Sequence, residues 1–424
     1  MSASGPSLGS AIAALRGHPT RIFFICLFGL TLSNTDQSLF SYAIPGLLEE
    51  FDLGLDAAGW ILSVSFVVAA FCNLAIGVAA DRYGRRRLFI FCLASSAALV
   101  TLLTFTPEIT SLTAVRALAF GISAALVPLA TTYAVEASPD RFRGLTTGLL
   151  QLGYPFGWFF ASLIAAPILA KFGWRYIFLP AAIVIPFAFL FSRWLPESQR
   201  FLAQRVNPAK KTAGGWLGSL QVLIEPQLRR RTILCAAMFF FHAGAYAGTA
   251  FYFPQYFVEV HGYTPADAAA LVGLSYAIGA VGYVAAALVG EFVMTRRNTI
   301  ALWVVLGAFA FAGLIWLAET RLENLFWFGL MTMFFYGSAA VQWAFAAEQF
   351  PTRVRATAAS MVMASTLFAF ALFPVGVAYI IEALGWRWSF TVVVFPALLV
   401  SVAATLGLQS IKSGAALDEI AEVA

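Results

Sequence analysis

Apolar residues in this chain alternate neither with period two nor as one helical face; they come in long runs, each closed by a short polar break. A bilayer core of about 30 Å needs about 20 apolar residues per crossing helix. Runs of that length recur at 22–48, 57–80, 87–106, 110–135, 144–170, 175–195, 232–258, 266–293, 298–318, 324–347, 356–382 and 388–410. The pattern predicts an all-α membrane protein of twelve transmembrane helices. Composition agrees: 61% of the 424 residues are hydrophobic and 11% charged, and the mean hydropathy is +0.83, more apolar surface than one soluble core can hide. Residues 1–20 are small and polar and lead into a run too long for a signal-peptide core, so the first span reads as an uncleaved anchor.

Charge then gives orientation, because cytoplasmic loops collect Lys and Arg. Of 26 such residues, 21 fall on the side that holds both termini; Lys171, Arg175, Arg321 and Arg387 fall opposite, and Arg116 lies inside a span. Both termini are expected in the cytoplasm, with the chain multi-pass in the inner (plasma) membrane. The net charge of +5 reflects this topology, and no nucleic-acid partner is needed to explain it. Cys26, Cys72, Cys92 and Cys235 sit in apolar runs without the spacing of metal sites or a disulfide framework, and read as packing residues.

The polar stretch Pro196 to Arg231 divides the spans six and six, which predicts a first bundle at 1–195, a cytoplasmic linker at 196–231 and a second bundle at 232–424. The halves look duplicated. "EASPDRFRG" from Glu136 and "EQFPTRVRA" from Glu348 match at an offset of 212, and the triplets at Asp56 and Asp267 open equivalent spans. Two similar bundles place a binding site between them near the midplane.

"GVAADRYGRRR", Gly77 to Arg87, follows the G-x-x-x-D-R-x-G-R-R pattern, and "RALAFG", Arg116 to Gly121, an Arg-x-x-x-x-Gly pattern. With the paired E-x-x-P-x-x-x-R motifs at Glu136 to Arg143 and Glu348 to Arg355, these resemble the major facilitator superfamily over nearly the whole chain. The resemblance implies alternating access by rocking of two halves, without an enzymatic step and in a protein that works as a monomer. It also implies a conformational latch at Gly77, Asp81, Arg82, Gly84, Arg85, Glu136, Arg143, Glu348 and Arg355, in which Asp81 meets the start of the eleventh span. Gly84 is expected at φ above zero in the turn. The second copy of the loop, "GEFVMTRRN", has Met294 where the Asp would fall; Glu291 is a candidate substitute or a plain interfacial carboxylate.

Two ionisable residues lie well inside spans, Asp36 in "LSNTDQSLF" and Arg116 in "SLTAVRALAFG". A charge at that depth costs roughly 2.5–3.5 kcal/mol, which makes each a functional candidate. At 1.5 Å per residue, Asp36 stands about 21 Å along its span and Arg116 about 9 Å along its own from the opposite side, one level in a core of about 30 Å. The first and fourth spans both line the central cavity of the family fold, so an ion pair is expected across water. Protonating Asp36 would free Arg116 to hold an anion, which is a proton-coupling device. The plainer alternatives are a helix-kink hydrogen bond for Asp36 and a structural brace for Arg116.

Neutral candidates for the substrate site are Asn34, Gln37, Gln151, Tyr154, Tyr246, Gln255, Tyr276 and Gln342, with His242, Tyr252 and Tyr336 nearby in sequence. Span five, "GLLQLGYPFGWFFAS", departs from the Gly-Pro pattern of drug antiporters, which disfavours efflux. "LPESQRFL" resembles sugar porters and the aromatic-acid and sialate proton symporters. Span seven lacks the Gln-Gln pair of sugar porters, and an intramembrane Arg suits a carboxylate. The expected activity is proton-coupled uptake of a small organic anion such as an aromatic acid. Polyspecific efflux and sugar symport are the alternatives. No phosphate loop, hydrolase elbow or metal-ligand spacing is present in the sequence, so no cofactor is expected and a proton gradient is the energy source.

Overall fold

The computed structural model describes residues 18–138, 143–195, 197, 223, 225–351 and 354–410. Most of the expected linker 196–231 lies outside the described residues, as do the side chains of Asp81 and Arg143. Among the described residues, ten helical stretches are long and apolar enough to cross a bilayer. The last, Thr357–Leu406, breaks at Gly385, where φ is 73°, and so crosses twice. His18–Phe51 adds the remaining span; its polar run Ser33 to Ser38 sets it apart from the others. Twelve spans are thus visible among the described residues, and large apolar side chains such as Phe71, Leu74, Phe309 and Leu399 point outward, as a lipid-facing belt must.

Span one is His18–Phe51, span two Leu55–Tyr83 and span three Arg85–Leu103. Gly84 alone joins spans two and three, at the expected positive φ of 98°. Spans four, five and seven are each two helices: Ile109–Ala124 with Leu126–Ala137, Arg143–Leu150 with Gly153–Lys171, and Pro226–Ala250 with Phe253–His261. Pro128, Pro155 and Pro254 each stand just after the break. Proline lacks the N–H and crowds the carbonyl four residues back, so the backbone bonds of the preceding turn are lost.

Span six starts as a 3₁₀ helix, Trp174–Ile183, before Val184–Trp194, with Pro180 inside the irregular part. Spans eight and nine are Pro265–Phe292 and Arg296–Trp316. Span ten runs Arg321–Phe334, a short turn Tyr336–Ser338, then Ala339–Glu348. Spans eleven and twelve share Arg355–Leu406. Span seven begins six residues before the expected position, because Pro226 at a helix start turns the polar Arg229 to Arg231 segment helical.

The halves meet through several pairs of spans, including spans five and ten, where Gly148 lies against the Ala340 carbonyl. Spans two and eleven touch where Gly59 lies against the Val375 backbone, and the Trp60 indole N–H donates to the Tyr379 hydroxyl at 3.2 Å. Spans one and seven join through the Ser41 hydroxyl, which donates to the Phe251 carbonyl left open at the span-seven break, 2.5 Å away. Spans five and eight run together from Ser162 against Gly273 to Gly148 beside Ala287. Apolar residues of the first half on its arginine-rich side, among them Ile22, Cys26, Phe89, Cys92, Leu126 and Tyr133, form a core of their own. The first-half residues farther across, such as Leu39, Phe66 and Trp158, share one core with the second half.

Candidate functional site

On the arginine-rich face the duplicated motifs become duplicated ion pairs. Arg85 at the start of span three pairs with Glu136 at the end of span four, and Arg296 at the start of span nine pairs with Glu348 at the end of span ten. Arg296 also reaches Glu291 at 2.5 Å, which settles the partner of that carboxylate. Arg296 extends toward Gly144 of the first half, where any Cβ would collide with its guanidinium. Arg355 donates from Nε to the Ala347 carbonyl at 3.0 Å. Arg82 lies over the ring of Tyr83, and Gly77 faces open space. Glu197, in the "PESQR" stretch, accepts from the backbone N–H groups of Arg85 and Arg86 at 3.0 and 3.2 Å. A carboxylate at a helix N-terminus satisfies orphan donors and opposes the dipole.

Deeper in, Asp36 and Arg116 meet: Nη1 lies 3.5 Å from Oδ1, and the guanidinium stacks 4.6 Å from the Phe40 ring centre and 5.1 Å from that of Phe120. Ser33 and Ser123 bond to one another alongside. Asp36 Oδ2 and Arg116 Nε are buried without a hydrogen-bond partner among the described residues. Beside Asp36 lies a cavity of about 70 Å³, lined by Ser33 and Thr35 of span one, Ser96 and Val100 of span three, Ile164 of span five and Ala181 of span six. That space is polar on one wall and large enough for water. All these walls belong to the first half, so the opening beside Asp36 lies within one bundle. Arg116 is 1% exposed and enclosed with its partner.

Between the bundles the structure gathers aromatic rings. Trp158 of span five stacks on Tyr276 of span eight, with centroids 4.7 Å apart and planes 6° from parallel. Tyr336 lies 5.7 Å from Tyr276 and 4.7 Å from Tyr246. Phe251 borders both Trp158 and Tyr246. Tyr42 of span one meets Trp158 edge-on and donates to its carbonyl at 3.0 Å. The Tyr246 side chain neighbours those of Tyr276, Trp158 and Tyr154. The Trp158 indole N–H and the Tyr246 and Tyr276 hydroxyls are buried with no hydrogen-bond partner among the described residues.

The other expected site residues go elsewhere. Gln255 donates to Glu259 at 2.6 Å, and Glu259 also accepts from the Trp386 indole, so Gln255 is held at the outer end of the second half. Gln342 donates to Ser338, which sits 3.4 Å from His242, so these three form a polar group between spans seven and ten. Asn34 returns its amide to the Leu30 carbonyl of its own helix. Gln37 and Gln151 are buried. Tyr252 donates to the Pro374 carbonyl, joining spans seven and eleven. Of the named candidates, Tyr154, Tyr246, Tyr276 and Tyr336 come together. Trp158, Tyr42 and Phe251 are members that sequence reasoning did not single out. The signal for Trp158 was the broken Gly-x-Pro-x-Gly turn before it; for Phe251 it was Pro254 just beyond.

Twelve spans in two duplicated halves, with a buried ion pair and a polar aromatic seam between the bundles, define a secondary transporter. A profile of the Major Facilitator Superfamily matches residues 26–347, and the chain belongs to that family. The cis,cis-muconate transport protein of Acinetobacter baylyi is 26% identical over 344 residues, covering 80% of this chain and 83% of its own length. The gallate transporter of Pseudomonas putida is 28% identical over 415 residues, 90% of each chain. A crystal structure of a bacterial homolog of the human lysosomal transporter Spinster, inward-facing and unoccupied, superposes with a TM-score of 0.69 at 15% identity, covering 92% of this chain and 98% of that one. The last likeness is one of fold. The protein is a multi-pass membrane transport protein, and its Acinetobacter and Pseudomonas relatives are transporters of cis,cis-muconate and of gallate.

Proposed function

We propose that the protein takes up a small organic anion, of the aromatic-acid type, together with a proton across the inner membrane, with both termini in the cytoplasm and a single chain as the working unit. The proton gradient drives it, and neither a cofactor nor a nucleic acid takes part. The observation that carries the reading is the Asp36–Arg116 pair, a buried acid and base 3.5 Å apart with one carboxylate oxygen unpartnered. Desolvation opposes the charged carboxylate and the guanidinium favours it, so small changes around the pair decide whether the acid holds a proton.

Span one connects this pair to the seam. Within seven residues it carries Asp36, Phe40 on the Arg116 guanidinium, Ser41 on the Phe251 carbonyl and Tyr42 on Trp158. Neutralising Asp36 releases Arg116 from its partner and frees Phe40 to shift, which alters how span one presses on span seven and on Trp158. Substrate between the bundles reports back along the same residues, and the two halves rock when both loads are aboard.

Reconstituted protein tests this with gallate and cis,cis-muconate as substrates. An inward proton gradient of one pH unit, worth about 1.4 kcal/mol, sustains about tenfold accumulation per coupled proton. Asp36→Asn keeps exchange of labelled for unlabelled substrate but loses accumulation. Accumulation by Asp36→Asn equal to that of the wild type would remove the coupling role.

A further inference from the structure

We infer that the substrate's ring and carboxylate are both held at the seam of Trp158, Tyr246 and Tyr276, by ring faces and neutral donors rather than by Arg116, and that the site selects planar aromatic carboxylates. The inference rests on the organic-anion reading above and names the place and chemistry of binding.

Three buried donors carry it. The Trp158 indole N–H, from the first half, and the Tyr246 and Tyr276 hydroxyls, from the second, turn toward one another: Tyr246 faces both the indole and the Tyr276 hydroxyl, yet none of the three reaches hydrogen-bond geometry among the described residues. A buried donor without an acceptor has given up its bond to water and gained none in return, which is unfavourable. An indole N–H can only donate, so the missing partner must bring an acceptor. A carboxylate brings two oxygens with about four acceptor sites, and its bonds to such donors are charge-assisted. Two nearby carbonyls already accept hydroxyls, that of Trp158 from Tyr42 and that of Phe251 from Ser41, and the other acceptors at hand are the neutral tyrosine hydroxyls themselves.

The walls supply the ring selection. Trp158 and Tyr276 lie face to face, 6° from parallel, one from each half, with Tyr336 stacked beyond at 5.7 Å. In this conformation the seam closes on itself, the two halves providing each other with the π-face that a flat substrate would provide. When the halves part, that stack opens and leaves two parallel faces above three unpaired donors. A benzoate-like molecule fits both; a saturated ring of equal size has no flat face to offer.

Arg116 is screened from this place. Its guanidinium packs on Phe40 and Phe120, Phe120 packs on Phe66 at 4.8 Å, and Phe66 on Phe251 at 5.6 Å. Along this chain of contacts Phe120 and Phe66 stand between the guanidinium and Phe251 at the edge of the seam. Proton and substrate occupy separate compartments, joined by span one.

The test is equilibrium binding of benzoate and cyclohexanecarboxylate to the purified full chain by titration calorimetry, without any proton gradient. The wild type is expected to prefer benzoate. Trp158→Phe, Tyr246→Phe and Tyr276→Phe, each removing one donor and keeping a ring, should weaken benzoate about tenfold. Trp158→Leu should erase the preference for the aromatic acid, and melting temperatures separate lost binding from lost folding. Benzoate affinity unchanged in all three phenylalanine variants, or a ring preference that survives Trp158→Leu, overturns the inference. If those variants bind normally while Asp36→Asn still abolishes proton-driven accumulation, the seam is wrong and the transport reading stands. If they bind weakly while accumulation ignores Asp36, the seam stands and the coupling falls.

Discussion

At the scale of the residue, the Asp36–Arg116 pair makes each partner necessary to the other. Removing one leaves an uncompensated charge in a bundle, a loss of about 3–5 kcal/mol in buried pairs. Arg116→Ala is therefore expected to lower the melting temperature sharply, and the double variant Arg116→Ala with Asp36→Asn to recover most of it; a double variant no more stable than Arg116→Ala would mean the two do not interact. On the opposite face, Glu50 lies past the apolar part of span one and accepts from Arg175 at 2.7 Å and from the Trp174 indole at 2.8 Å. The Arg175 hydrogen bonds hold the Glu50 carboxyl below its ordinary value. A depressed carboxylate contributes stability above its unfolded pKa and loses it as pH falls through the folded one. Thermal melts should find Arg175→Ala less stable than wild type near neutral pH, with the gap closing in acid; a gap that widens in acid would contradict the brace. The charged residues were legible in the sequence because a charge in an apolar run stands out. The seam was only half legible: its tyrosines carry a hydroxyl that drew attention, whereas Trp158 and Phe251 are lost among 41 Phe and 11 Trp in a chain that is 61% hydrophobic.

At the scale of the element, prolines decide where spans bend and glycines where halves touch. Long apolar runs located the spans to within about six residues but drew spans four, five and seven as single helices, since hydropathy does not register a lost backbone bond. One of these breaks joins the halves: the open Phe251 carbonyl takes the Ser41 hydroxyl across them. Close approach is a property of pairs of spans, and no single run of letters announces it. A Cβ on Gly59 would come 2.9 Å from the Val375 Cα, and one on Gly148 would come 2.6 Å from the Ala340 carbonyl oxygen on the arginine-rich side. Overpacking of this kind costs about 1–3 kcal/mol, roughly 5- to 150-fold in an equilibrium between states. Gly59→Val should hold that end open, Gly148→Val the arginine-rich end, and both should slow uptake by about tenfold or more. Thiol labelling of single-cysteine reporters on a cysteine-free background checks this: the two variants should expose opposite faces, and identical labelling patterns would refute the wedge argument.

At the scale of the whole molecule, duplication gives two frames and divergence gives them different jobs. Arg85 with Glu136 and Arg296 with Glu348 repeat one ion pair at matching positions. Arg296 of the second copy reaches toward the other half, at Gly144, while the Asp36–Arg116 pair lies in the first half. The repeat was readable from the matching motifs, while the partners of Arg85 and Arg296 needed the fold to bring span ends together. On the proposed coupling, one proton taken by Asp36 for each monocarboxylate makes the movement electroneutral. Uptake of a monocarboxylate should then follow the pH gradient and ignore membrane potential clamped with potassium and valinomycin; potential-driven uptake at equal pH would exclude that stoichiometry. The most direct measurement is proton exchange upon binding itself. In weakly buffered solution near neutral pH, adding benzoate to the purified wild-type protein should draw about one proton per bound ligand from the medium, and Asp36→Asn should bind without drawing any. Ligand binding by the wild type with no proton taken up, or the same uptake by Asp36→Asn, would contradict the account.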